Sequence, residues 1–256
     1  MEVYKEELGD VTPYLNNHAS ETLEDKEPDF RRILKYVGKF KAIHPGLRMI
    51  EIGTGMGSFP ILCKLSGLRC EGLEISRQLI EHAHNWGKRV GAEPDIRLGN
   101  LEEEDLGEAV YDVIVASSVF EHVELWRPSL EKLFRALKPG GALFFESTNK
   151  WSVKSGEFPP MPFYGWLPNW ARYRLRKILH GPDIMKLGID FHQFTYSGLR
   201  RVFRQIGFSQ CHDVIDLIDA DGNSIKKRLL RAARKSQAIR IPCLLIVEAT
   251  TFVCIK

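Results

Sequence analysis

Residues 47–58 read Leu-Arg-Met-Ile-Glu-Ile-Gly-Thr-Gly-Met-Gly-Ser: a short apolar run closed by an acid, then glycine at every second position. Leu47 to Ile52 has the length and side chains of a buried strand. Gly53, Gly55 and Gly57 then allow a tight turn in which the backbone comes close to a ligand. Ser58 to Ser66 has a helical pattern. A strand that passes through such a turn into a helix points the helix N–H groups at whatever lies above the turn. Alone this unit is a weak signal; with the alternation on either side of it, the chain reads as an α/β protein.

Working outward, the alternation continues. Cys70 to Ile75 reads as a strand, and Ser76 caps a helix running to Arg89 with Ile80, Ala83 and His84 on one face. Asp95 to Leu98 and Tyr111 to Ala116 are strands, Ser129 to Leu137 a helix, and Ala142 to Glu146 a strand entered through Lys138-Pro139-Gly140-Gly141. Strands alternating with helices predict a mostly parallel sheet covered on both faces. Before this unit, residues 1–28 are polar and acid-rich, end at Pro28, and wrap the surface or cover the site; Phe30 to Phe40 has one apolar helical face. After it, residues 151–190 fit neither period. Thr195 caps a helix from Tyr196 to Ile206 that Gly207 ends, and Phe208 to Ile215 reads as a strand. A basic helix spans Ser224 to Ala238, and Ile241 to Ile255 reads as a buried strand or strand pair. The divisions are a cap and helix at 1–45, a core at 46–148, an insertion or lid at 149–194, and the rest of the same α/β domain at 195–256.

Composition narrows the class. The 256 residues are 44% hydrophobic with a net charge of +3, so nothing global demands nucleic acid or a membrane. Five cysteines without CxxC spacing read as buried thiols in a reducing cytosol, and no metal-ligand set is found. The first residues carry no apolar leader core, and 241–255 is shorter than the about 20 residues a membrane helix needs. The expected location is cytoplasmic.

The glycine spacing discriminates between ligands. Dinucleotide folds use GxGxxG, with the third glycine packing helix on strand. Here the order is GxGxG and Ser58 stands at that third position. Glu51 would be repelled by a diphosphate and favoured beside an ammonium or a sulfonium. The loop therefore leans towards S-adenosylmethionine over a nicotinamide dinucleotide. Glu74, ending the second strand, is suited to ribose hydroxyls; Gly99-Asn100-Leu101 follows the third strand, where an amide can read an adenine edge.

These motifs in order, from Glu51 through Glu74 and Tyr111–Ser118 to Leu137–Gly141, resemble the class I S-adenosylmethionine-dependent methyltransferases. The likeness is strongest to the small-molecule group that includes ubiquinone-biosynthesis-type O-methyltransferases, over residues 46–148 and again over 190–216. The resemblance implies a Rossmann-like, seven-stranded, mostly parallel sheet with an antiparallel C-terminal strand. It implies that Gly53, Gly55 and Gly57 cradle the methionine portion, with Glu51 and Thr54 in the same loop. Glu74 with Ile75 would hold the ribose, Asn100 and Leu101 would lie beside adenine, and the Ser117 backbone near the reacting methyl. The family often has Asp where Asn100 stands. S-adenosyl-L-homocysteine would be the product.

The acceptor is less legible. Methyl transfer from a sulfonium needs alignment and, for a hydroxyl acceptor, a base. His122, after the fourth strand, and His192, before the Tyr196 helix, are candidates; packing or loop-bracing are their alternative roles. Glu121 reads as a loop residue. Residues 158–177, rich in Trp, Pro and Arg, form an acceptor wall, a peripheral membrane contact, or an insertion packed on its own domain. Residues 224–240 carry seven cations and no acid, and are either a solvated face or a contact for anionic lipid, a polyphosphate-linked substrate or RNA. Nucleic acid is disfavoured, because Ser117-Ser118-Val119-Phe120 stands where base-methylating enzymes often carry an Asn/Asp-Pro-Pro-Tyr/Phe run. The expected function is methyl transfer to a small molecule at oxygen; the alternatives are a lipid-linked or glycan acceptor at a membrane, and a non-catalytic cofactor-binding subunit. Oligomeric state is left open.

Overall fold

Both halves of the strand–glycine–helix unit form, as β1 (Arg48–Ile52) and α3 (Ser58–Leu65). The computed structural model describes residues 11–154, 161–180 and 192–256. Beyond this unit come β2 (Arg69–Glu74), α4 (Arg77–Arg89), β3 (Asp95–Leu98), β4 (Tyr111–Ser117), α5 (Trp126–Ala136) and β5 (Leu137–Thr148). Ser76 caps α4 as expected, its hydroxyl accepting from Leu79 N–H. β5 starts earlier than read, because Leu137 already pairs with Tyr111 before a register shift.

The seven strands lie in the order β3-β2-β1-β4-β5-β7-β6, where β6 is Gln210–Asp213 and β7 is Ala249–Ile255. All pairs are parallel except those of β7, which is antiparallel to both neighbours. The order reverses between β1 and β4, and such switch points open a crevice at the carboxyl ends of the strands. The glycine loop sits there. One sheet face packs Ile50, Ile52, Ile114 and Phe145; the other packs Met49, Val113, Val115 and Phe144 beneath α2 (Leu23–Gly38).

Three expectations are corrected. The N-terminal segment does not end at Pro28, because α2 starts at Leu23 and contains that proline. Thr22 and Asp25 form a reciprocal capping box, and Phe30, Ile33 and Val37 are buried against the sheet. That burial outweighs the one backbone hydrogen bond Pro28 cannot make. Phe208 to Ile215 is not one strand: β6 stops at Asp213, whose carboxylate accepts from Ile215 N–H and caps α8 (Val214–Leu217). Finally, 241–255 is not a strand pair. The basic helix α9 (Ile225–Lys235) breaks at Ser236, α10 (Gln237–Leu244) follows, and only Ala249–Ile255 is strand. Ile239, Cys243 and Leu244 lie at helical spacing and pack on the core, so the first half of the apolar run satisfies the longer period. Thr195 and Gly207 bound α7 (Tyr196–Ile206) as read. Among the described residues no helix is long and apolar enough to cross a membrane.

Candidate cofactor and acceptor site

The three loop glycines have different jobs. All have positive φ, but a Cβ on Gly57 would lie 2.6 Å from Ala83 Cβ of α4, and one on Gly53 2.7 Å from Val119 Cγ2. Those two glycines let the loop pack on its own protein. A Cβ on Gly55 would meet nothing nearer than the Tyr14 hydroxyl at 3.9 Å. Gly55 alone leaves open space, which is the cradle a ligand requires.

Glu51, the last residue but one of β1, is 8% exposed, with one carboxylate oxygen lacking a hydrogen-bond partner among the described residues. Burial, with Cys63, Glu74 and Asp29 nearby, pushes its carboxyl well above the ordinary range. Such a group is relieved by an adjacent cation. The Thr54 hydroxyl is likewise buried without a partner among those residues. Glu74 is 4% exposed, and its carboxylate accepts from Gly55 N–H at 2.8 Å and from Ile75 and Ser76 N–H, both at 3.0 Å. Burial raises its pKa while these three donors oppose the shift. A carboxylate has about four acceptor positions, so Glu74 braces the glycine loop through three of them and keeps a further position for another donor.

Asn100 shapes a turn: its side-chain oxygen accepts from Glu102 N–H at 3.0 Å, and its carbonyl from Glu103 and Glu104. Leu101 is buried in the core next to it. Ser117 ends β4 opposite Glu146 of β5, and its hydroxyl lies 3.4 Å from that carboxylate. Ser118 follows with a φ of 53°, a left-handed conformation rare outside glycine. Strain of this kind at the end of a central strand is common at ligand sites. His122 is exposed at the end of a 3-10 turn, Phe120–His122. His192 is placed differently. Its Nε2 is 3.0 Å from the Glu124 carbonyl, its N–H donates to the Glu121 carbonyl, and its ring neighbours Trp126 and Phe194. A carbonyl only accepts, so Nε2 carries the proton in that bond. His192 clamps the loop after β4 to the segment before α7.

Other residues join the site without a local sequence signal. Tyr14 of α1 (Thr12–Asn17) lies against Gly55, and Val11, Tyr14 and Leu15 pack with Met56, Ile61 and Leu79. Arg32 of α2 donates to both oxygens of Glu146 at 2.8 Å, and the Thr251 hydroxyl donates to the same carboxylate at 2.7 Å. Glu121 is buried and accepts from the Ser147 hydroxyl at 2.5 Å. These partners are far apart in the chain and only the folded sheet brings them together. Among the described residues, no group of three or more metal-ligating side chains is found.

A methyltransferase-domain family model matches residues 22–212. The chain belongs to this family. It is similar to a probable S-adenosylmethionine-dependent methyltransferase of Mycolicibacterium smegmatis (strain ATCC 700084 / mc(2)155), 32% identical over 120 residues that cover 46% of this chain and 45% of the relative. It is also similar to a ubiquinone biosynthesis O-methyltransferase of Idiomarina loihiensis (strain ATCC BAA-735 / DSM 15497 / L2-TR), 26% identical over 137 residues covering 52% of this chain and 56% of the relative. The chain thus spans about half the length of these curated relatives. A solved S-adenosylmethionine-dependent methyltransferase from Archaeoglobus fulgidus shares the fold, with a TM-score of 0.58 at 16% identity over 96% of this chain and 100% of that one. The fold is the Rossmann-like one of class I methyltransferases, and S-adenosylmethionine is the family's cofactor. The residues present fit it: Gly55 leaves open space, and Glu51 and Thr54 each bury an oxygen that has no partner among the described residues.

Proposed function

We propose that the chain transfers a methyl group from S-adenosylmethionine to a small molecule, at an oxygen atom. The observation that carries the donor half is the buried Glu51 carboxyl, one oxygen of which has no partner among the described residues, next to the one loop glycine that leaves space above it. The bound sulfonium supplies an already activated methyl. Glu51 would face the cofactor's positive charge, Gly55 and Thr54 would line its methionine end, and Glu74 would hold the loop in shape. The acceptor side lies at the ends of β4 and β5, where Ser117, Ser118 and the exposed His122 stand. His122, exposed just after β4, is the candidate proton acceptor there, with His192 at the loop clamp as the second. The oxygen target is supported by the Idiomarina loihiensis relative, whose name gives an O-methyltransferase.

Calorimetric titration with S-adenosylmethionine and S-adenosylhomocysteine tests the donor half: both bind, and Gly55→Arg, which fills the cradle, abolishes binding while circular dichroism stays unchanged. Failure of the folded wild-type protein to bind either overturns the reading. Transfer of labelled methyl to hydroxylated acceptors, reduced by His122→Ala with the donor affinity intact, tests the acceptor half.

A further inference from the structure

By composition both the insertion and the basic helix admit a membrane contact, and the structure separates them. In α9, Lys227 donates to the Asp219 carbonyl, Arg231 to the Ala220 and Gly222 carbonyls, and Arg234 to the carbonyls of Ile215, Asp216 and Ile218. Half of that helix's cations therefore staple residues 215–222 of their own chain.

The segments around α6 (Asn169–His180) do the opposite. Arg172 is the one cation of α6 that is fully buried, bonded to Asn169 and near the Tyr164 ring. On the outer face, Trp170, Arg174, Lys177 and Ile178 recur at helical spacing and all are exposed, Trp170 at 70% and Ile178 at 69%. Just before α6, Trp151, Phe163 and Trp166 form an exposed aromatic cluster with ring centroids 5.1–5.4 Å apart in the two contacts of Trp166. Lys150 lies 5.2 Å over the Trp151 ring. The cluster is fixed in place: Trp166 Nε1–H donates to the Ser152 carbonyl, Val153 N–H donates to Leu245, and the Asn149 amide donates to Leu244 and Val247. The last two contacts bring the end of α10 alongside, with Ile246 63% exposed.

A soluble surface seldom leaves so many large apolar side chains in one region. Tryptophan beside lysine and arginine suits the headgroup level of a bilayer, where the ring is amphipathic and the cation meets lipid phosphate. Charge selects the lipid. Residues 149–154 and 161–180 contain six lysines and arginines, five of them besides the buried Arg172, and no aspartate or glutamate. This face begins one residue beyond Thr148, at the end of β5 where Glu146 and Ser117 meet.

We propose that the face built by Trp151, Trp166, Trp170, Arg174 and Lys177 docks on an anionic lipid surface and presents the acceptor side to it, so that the acceptor is drawn from the membrane. The acceptor clause rests on the methyltransferase reading; the docking does not. The test is co-sedimentation of the full chain with phosphatidylcholine vesicles, with and without phosphatidylglycerol. The expected result is binding to the anionic vesicles only, with a blue shift of tryptophan emission. Trp170→Ala with Arg174→Glu and Lys177→Glu should weaken it by on the order of tenfold or more. Lys226→Glu with Arg228→Glu on α9 should leave it nearly unchanged. Retained S-adenosylmethionine binding shows that each variant is folded, and loss of that binding in the wild type would fault the functional reading alone. Absence of vesicle binding, equal loss from the α9 variant, or a concentration-dependent dimer in ultracentrifugation that Trp170→Ala dissolves would overturn the docking.

Discussion

Burying a carboxyl oxygen without a partner penalises the free protein, and Glu51, with one such oxygen among the described residues, is where that penalty is informative. Its pKa is raised in the folded state from an ordinary value of 4.5. A raised folded pKa gives stability that is present below the unfolded value and lost as pH rises through the folded one. At neutral pH the free protein therefore carries a destabilising Glu51, and a bound cation removes that effect. Glu51→Gln should raise the melting temperature of the ligand-free protein at pH 7, by about 2–4 °C for each kcal/mol relieved, with the gain fading in acid. The same change should weaken S-adenosylmethionine binding by about 1–3 kcal/mol. Melting curves at pH 4.5 and 7 with a calorimetric titration check both; a lower melting temperature at pH 7 refutes the account. Glu51 and the glycines were legible in sequence because they are adjacent. The brace from Glu74 to Gly55 was not, since a carboxylate that ends a strand looks the same whether it faces a sugar or a backbone N–H.

Elements were legible where one period and one pair of end signals agreed. Thr195 and Gly207 bound α7 on both sides, and the hydroxyl of Thr195 does accept from Gly198 N–H. Misreadings fell where an apolar run suited two periods, as at 241–255, or where a capping acid lay inside one, as at Asp213. That aspartate is 1% exposed and has several tasks. It caps α8, and it pairs with Arg200 at 2.5 Å and with Arg240 at 2.6 Å, joining α7, β6 and α10. Removing one partner of a buried ion pair leaves charge without compensation. Asp213→Ala should cost about 3–5 kcal/mol of stability in urea unfolding, whereas the exposed Arg201→Ala should stay within about 0.5 kcal/mol. Equal effects from the two substitutions would show that the edge of the sheet is not held by this cluster.

At the scale of the molecule, alternation of strands and helices was enough to foresee a parallel sheet, and the glycine loop to place its crevice. How residues 11–17 pack beside that crevice is not legible in the sequence beyond the expectation of a cover, because the contacts join residues with no local pattern. Val11 and Leu15 pack with Met56 and Leu79, Val11 N–H donates to the Gln78 side chain, and Tyr14 stands against Gly55. Burial pushes the Tyr14 hydroxyl pKa up, with the Glu21 and Glu74 charges adding to the shift, so it remains a neutral donor at the mouth of the cradle. The sheet and α2 do not need α1, since Thr22 caps α2 from within. A chain lacking residues 1–19 should then keep its far-ultraviolet dichroism and lose only the burial of a few apolar side chains, about 1.5–3 kcal/mol for each one fully buried. Its hold on S-adenosylmethionine should fall further than its stability, because the cover raises the barrier to ligand escape, and most affinity differences between related complexes lie in dissociation. Stopped-flow displacement of the cofactor by S-adenosylhomocysteine should show a dissociation rate at least about tenfold faster than that of the full chain, with association little changed. An unchanged dissociation rate in the shortened chain would mean that α1 packs beside the cofactor loop without closing it.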